Sequence, residues 1–211
     1  MPTLSVCLIV KNEEAFLERC LSSIEGVADE IIVVDTGSSD RTEEIARGFT
    51  SLVYQFEWCD DFSKARNEAI KYATKDWVLF LDADETIASR DLASLKEALT
   101  FDVDAYQFVT RTYIDKANQL FFVPADNVYY ESKGFVGWIS AKMVRLFRNN
   151  GDFAFTGRIH ESLVPSLKAK KAVISEIPVP IHHFGLTRSV SDQREKKHMY
   201  GRIGELKLQE N

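Results

Sequence analysis

The sequence predicts an α/β fold in which a mainly parallel sheet carries helices on both faces. Two observations predict it. Uncharged, largely aliphatic runs recur at residues 4–10, 31–34 and 77–81, too apolar for strands with one wet face. Stretches of helical period separate them, and strand, helix, strand, helix, strand, helix, strand over the first 85 residues calls for right-handed crossovers.

The elements follow in order. Residues 4–10 (LSVCLIV) form a buried strand, largely aliphatic and without a charge. Asn12 offers a helix cap, and Glu13 and Glu14 suit a first turn, where negative charge is favoured. Phe16, Leu17, Cys20, Leu21 and Ile24 recur at three and four, an amphipathic helix that stops near Gly26. Residues 30–34 are the second strand, 35–40 (DTGSSD) a turn of small polar residues, and Asp40 a cap for a helix to about Arg47. A short third strand spans 52–56, a helix runs from about Phe62 to Ala73, and a fourth strand starts at Trp77. In WVLFLDADE (77–85) five apolar residues lead straight into three carboxylates within four positions. Such crowding needs a cation or hydrogen-bond donors to compensate it.

After a helix around 91–99 the character changes. Residues 105–113, 119–123 and 143–148 show the mixed or alternating pattern of antiparallel strands, with an aromatic-rich loop over 125–139. Residues 174–184, interrupted by Pro178 and Pro180, predict an edge strand or an extended segment. From Ser191 the chain is helical and charged, and Met199, Ile203, Leu206 and Leu208 give a narrow stripe for docking on the domain. The expectation is one domain over 1–211: a nucleotide-binding half (1–100), an acceptor-side half (101–190) and a C-terminal helix (191–211).

Composition narrows the function. Apolar content of 45% and charged content of 27% are those of a soluble globular protein. A net charge of −6 and a pI of about 5.3 argue against nucleic acid as a partner. Cys7, Cys20 and Cys59 are odd in number and lack metal-ligand spacing. Cys7 and Cys20 read as small buried hydrophobes in a reducing compartment. Neither a charged leader nor an eighteen-residue apolar window is present, so the expected placement is cytoplasmic, whether free or peripheral on the inner face of a membrane.

The ends of the first, second and fourth strands should share one edge. Val10, Asp35, Thr36 and Asp82-Ala83-Asp84 then gather in the crevice where open α/β sheets bind ligands. A divalent cation carrying phosphate oxygens would explain acids at that position. The loop after the first strand is not glycine-rich, which argues against a nucleotidyltransferase and against a dinucleotide-dependent oxidoreductase.

Four segments in this order, SVCLIVKNEE (5–14), IIVVDTGSSDRT (31–42), FSKARNEA (62–69) and WVLFLDADE (77–85), resemble the signature segments of family 2 glycosyltransferases. FTGRIHE (155–161) and IHHFG (181–185) resemble segments of a bacterial branch of that family. The resemblance implies a GT-A fold, a Rossmann-like nucleotide-binding half merged with a mixed acceptor-side half. It implies inverting, Mn2+- or Mg2+-dependent transfer from a nucleoside diphosphate sugar, UDP-sugar favoured, to a saccharide, lipid-linked or protein acceptor. By the same resemblance Asp84 binds the metal with His183, and Asp82, with Ala83 beside it, meets the ribose or the metal shell. Asp35, Thr36 and the backbone near Val10 meet the base, and Arg66 reaches phosphate or base. Glu161 is the general base, with Asp152 as second choice.

Each role has a bland counterpart. Asp35 could be a turn aspartate, Arg66 a surface cation, Glu161 an exposed acid and His183 a packed histidine. Tyr129, Tyr130, Phe135 and Trp138 could bind a sugar acceptor, cover the donor or complete the core. The competing function is a non-catalytic nucleotide-sugar-binding or scaffold protein that keeps the fold.

Overall fold

A computed structural model describes residues 1–209 and places ten strands in one sheet. The strands are β1 (Leu4–Val10), β2 (Glu30–Asp35), β3 (Val53–Gln55), β4 (Trp77–Phe80), β5 (Glu85–Ile87), β6 (Ala105–Ile114), β7 (Phe122–Pro124), β8 (Gly137–Arg148), β9 (Ile174–Glu176) and β10 (Ile181–His183). The helices are α1 (Leu17–Ser23), α2 (Thr42–Phe49), α3 (Phe62–Tyr72), α4 (Leu92–Ala98), α5 (Val164–Ala169) and α6 (Val190–Gln209).

The order is β3-β2-β1-β4-β8-β6-β10-β5, with β7 added to β8 and β9 to β6. β3, β2, β1 and β4 are mutually parallel, and β8 turns the sheet antiparallel on both its sides. Both faces of the parallel half are packed, which is why these strands read as unbroken apolar runs. Leu4, Val6, Leu8 and Val10 enter one core with Leu17 and Leu21, whereas Cys7 enters the other with Val78 and Phe80. Val10 pairs with Asp35, so the ends of β1 and β2 lie side by side and the acids after β4 follow on the other flank.

Four expectations change. Asn12 does not cap α1, which starts only at Leu17. It adopts a left-handed φ of 52°, tolerable for asparagine, and ties two loops together. Its N–H donates to Ser38 Oγ at 2.9 Å and its Oδ1 accepts from Ser39 N at 2.8 Å. Second, Glu13 is buried rather than lying in an open first turn. Third, β8 begins at Gly137, inside the stretch expected to be loop. A Cβ at Gly137 would lie 2.2 Å from the Val123 carbonyl, so β7 can pair there only against glycine. Fourth, β10 is internal, between β6 and β5; Pro178 and Pro180 precede its ladder, so neither interrupts it.

α6 docks as expected, with Ile203 fully buried and Met199 and Leu206 half-buried, while the Leu208 side chain lies outside the described residues. No helix among the described residues is long and apolar enough to cross a membrane.

Candidate active site

A cavity of about 1010 Å³ opens where β1, β2 and β4 end. Val10, Thr36, Asp82, Ala83, Asp84, Arg66, Glu161 and His183 all face it, so most of the sequence-predicted residues meet in one place.

Asp82 is held from two sides. Its Oδ1 accepts from Arg66 Nη2 at 2.8 Å and its Oδ2 from Arg145 Nη2 at 3.1 Å. Burial alone would raise its pKa, but the guanidinium groups of Arg145 and Arg66 outweigh that and keep it well below the carboxylate range. Arg66 reaches further and donates from Nε to Glu161 Oε1 at 2.6 Å. Arg145 also bonds Glu85 Oε1 at 2.8 Å, and Glu85 Oε2 accepts the Asp82 N–H at 2.9 Å, closing the turn. Burial, with Asp82 next to it, pushes Glu85 up to about 7.

This corrects one expectation. Arg66 is neither a surface cation nor placed to take phosphate, because Nε and Nη2 are committed to carboxylates and Nη1 is buried without a partner. It packs against the rings of Phe80 and Phe155, each 5.4 Å from its guanidinium carbon. Its visible effect is to position Asp82 and Glu161.

Asp84 has different partners. Its Oδ2 takes Arg188 Nη2 at 2.6 Å and Nε at 3.0 Å, and its Oδ1 lies 3.5 Å from His183 Nε2. Burial opposes its ionisation, but His183 and Arg188 more than offset that and depress its pKa. His183 Nδ1 is 2.9 Å from Thr112 Oγ1. That contact fixes the ring so that Nε2 is the nitrogen at the cavity. Burial opposes protonation of His183, but the neighbouring Asp84 carboxylate outweighs that and raises its pKa. His182 points to the opposite face, as strand geometry requires. It is fully buried with Nδ1 2.6 Å from the Tyr113 hydroxyl, and burial pulls it down to about 3.

These residues fit a divalent cation. Gly185 leaves room between the two donors: a Cβ there would fall 2.5 Å from His183 Nε2 and 2.9 Å from Asp84 Oδ2. One carboxylate and one imidazole are a partial ligand set, and no group of three ligating side chains occurs among the described residues. An ion of that kind completes its shell with water and phosphate oxygens.

At the β2 end, Asp35 is almost fully buried and, unlike its neighbour Thr36, does not line the cavity. Its Oδ1 accepts the Gly37 and Ser38 N–H groups, both at 2.7 Å, while Oδ2 is buried with no partner. The Val10 carbonyl is already engaged, receiving the Thr36 N–H at 2.9 Å and the Thr36 hydroxyl at 3.1 Å. Val10 therefore contributes wall rather than its carbonyl.

Some expected residues lie elsewhere. Asp152 is exposed beside Lys170 and away from the cavity, so the second-choice base drops out. Trp138 and Phe135 pack with Tyr113 and Phe184, Tyr129 lies over His182, and Tyr130 is exposed; none lines the cavity. Conversely, Glu13, Arg145, Arg188, Trp58, Phe62 and the α6 side chains Lys196 and Tyr200 escaped the sequence reading. Arg145 did leave a signal: an arginine inside Val-Arg-Leu-Phe, where a buried cation demands buried anions.

A sheet that is parallel over β3-β2-β1-β4 and mixed beyond, with a cavity at the parallel strand ends, is the architecture of a GT-A glycosyltransferase domain. The chain belongs to glycosyl transferase family 2, whose sequence model matches residues 5–194. It is 36% identical over 200 residues to a TPR repeat-containing protein of Synechococcus elongatus, covering 92% of this chain and 45% of that one. Against the prophage-derived glycosyltransferase SunS of Bacillus subtilis it is 31% identical over 163 residues, covering 76% and 34%. The chain thus spans less than half the length of either relative. Its fold matches that of the TarS 1–349 crystal structure from S. aureus in complex with UDP-GlcNAc, with a TM-score of 0.56 at 21% identity, covering 89% and 59%. It also matches the mannosyltransferase PcManGT of Pyrobaculum calidifontis with GDP-Man and Mn2+, with a TM-score of 0.60 at 18% identity, covering 100% and 65%.

Proposed function

We propose that this glycosyltransferase domain moves a sugar from a UDP-sugar to a hydroxyl of a saccharide, lipid-linked or protein acceptor, with inversion and with Mn2+ or Mg2+ bound. The observation that carries the reading is the convergence of Asp84 and His183 around the space left by Gly185, inside the cavity that also holds Asp82 and Glu161. The complexes of TarS with UDP-GlcNAc and of PcManGT with GDP-Man and Mn2+ support such a donor and ion.

Uridine is favoured over guanosine by Asp35. Its unpartnered Oδ2, buried behind the lining residue Thr36, would match the single imide N–H of uracil once the 35–38 turn admits the base, whereas guanine presents two donors to a carboxylate whose Oδ1 is already taken. Asp84 and His183 would hold the ion, which when bound offsets charge on the departing diphosphate. Glu161, with Oε1 pinned by Arg66, is the base. Its other oxygen takes the acceptor proton as the acceptor oxygen bonds to the anomeric carbon. The bond from that carbon to the diphosphate breaks on the opposite face, and the nucleoside diphosphate leaves with the electron pair. An imidazole ligand favours Mn2+ over Mg2+.

A thermal-shift panel of UDP-, GDP- and dTDP-sugars, with and without Mn2+, tests this reading. A donor that binds only the native state raises the melting temperature by mass action, about 2.7 kcal/mol of stabilisation at a hundred times its Kd. A response to UDP-sugars that needs Mn2+ and vanishes in Asp84→Asn is the expected result. No response to any nucleotide sugar would leave a scaffold role instead.

A further inference from the structure

The family match ends at residue 194, yet one wall of the cavity is built from later residues of α6, among them Lys196, Tyr200 and Arg202. The helix is pinned there at three points. Ile203 is fully buried, Arg202 Nη2 meets Asp60 Oδ1 at 2.5 Å, and the Tyr200 ring stacks on Phe62 with centroids 5.6 Å apart. Tyr200, 41% exposed, lines the same cavity as Asp82 and Glu161.

Between these anchors Lys196 Nζ lies 3.1 Å from Glu13 Oε1. Glu13 Oε2 takes Arg188 Nη2 at 2.6 Å, and that same nitrogen lies 2.6 Å from Asp84 Oδ2. A line of alternating charge thus runs from α6 to the acid that fits a metal. The two buried carboxylates face Arg188 and Lys196, and Asp84 has the titratable His183 as a further partner, so the set already holds no excess of negative charge. A divalent cation arriving at Asp84 competes with Arg188 for Oδ2 and leaves an excess of positive charge. The anion that restores balance must sit within reach of the same groups, and Lys196 is the cation on the cavity's open side, its side chain 38% exposed.

We propose that Lys196 is a donor-binding residue whose ammonium donates to the diphosphate, so that α6 forms the fourth wall of the donor site. This rests on the donor reading above. Before the donor arrives, Glu13 holds the ammonium inside the cavity and so limits the rotamer entropy lost on binding. A phosphate oxygen then replaces or shares the Glu13 contact as a charge-assisted hydrogen bond.

Calorimetric titration of UDP and of uridine, each with Mn2+, into the wild-type chain, Lys196→Met and Lys196→Arg tests it. Methionine keeps the apolar stem and the helix propensity, and Arg194→Ala, an exposed cation on the same helix, controls for net charge. The expected result is UDP binding about tenfold or more weaker in Lys196→Met and largely restored in Lys196→Arg, with uridine binding unchanged throughout. Equal UDP affinity in wild type and Lys196→Met overturns the assignment while leaving the donor reading intact. Equal weakening of UDP and uridine also overturns it, since α6 would then be a wall without a phosphate contact. Failure of the wild-type chain to bind UDP with Mn2+ would sink both.

Discussion

Asp82 and Asp84 stand two residues apart in one loop, yet their charges are balanced by different parts of the fold. Asp82 is met by Arg66 from α3 and Arg145 from β8, both rooted in the core and both almost fully buried. Asp84 is met by His183 and Arg188 from the last part of the chain, beside the open cavity. The first arrangement is framework. The Asp82 side chain is 34% exposed, but its two guanidinium partners are buried and each also holds a second acid, Glu161 or Glu85, so unmaking the set would strand several charges at once. Asp84 and Arg188 are no less buried, but their partners come from the cavity wall, where an incoming cation and diphosphate would take over each contact.

The largest effect is expected on the Asp82 side. Arg145→Ala leaves Asp82 and Glu85 without their shared cation and should cost about 3–5 kcal/mol in urea unfolding. A loss below about 1 kcal/mol would show that the Asp82 side is as exchangeable as the Asp84 side. Glu161→Gln, also bonded to Arg66, should retain UDP binding but lower turnover about 10²- to 10⁴-fold, read by single-turnover sugar transfer. Gly185→Ala sharpens the other half. Its Cβ would intrude between His183 and Asp84, so Mn2+ affinity should fall about 10- to 100-fold with uridine binding intact. Asp152→Asn should change turnover by no more than about twofold, the ordinary range for an exposed residue.

The same contrast explains what the sequence disclosed. The parallel half was legible because strands packed on both faces spell uninterrupted apolar runs, and acids directly after such a run have few places to go. Residues 82–84 were expected at the cavity on that logic and His183 from the segments shared with the family, and all four line it. Arg188, Glu13 and Lys196 were not. Their meaning depends on contacts more than a hundred residues apart along the chain, and no local pattern distinguishes a buried Glu13 from a solvated one. Short elements failed for another reason: β5 has three residues and α5 six, too few to show a period. Arg66 was assigned to the donor from its motif, and only its two carboxylate partners revealed a positioning role.

The most direct test of the central claim is pulsed electron paramagnetic resonance of Mn2+ added to the chain together with UDP. One ion should couple both to 31P of the diphosphate and to an imidazole 14N, and the nitrogen coupling should disappear in His183→Gln. An ion coupled to phosphorus alone in the wild-type chain, unaffected by Asp84→Asn, would mean that the metal rides on the nucleotide without these residues. Asp84 and His183 would then not be the metal's ligands.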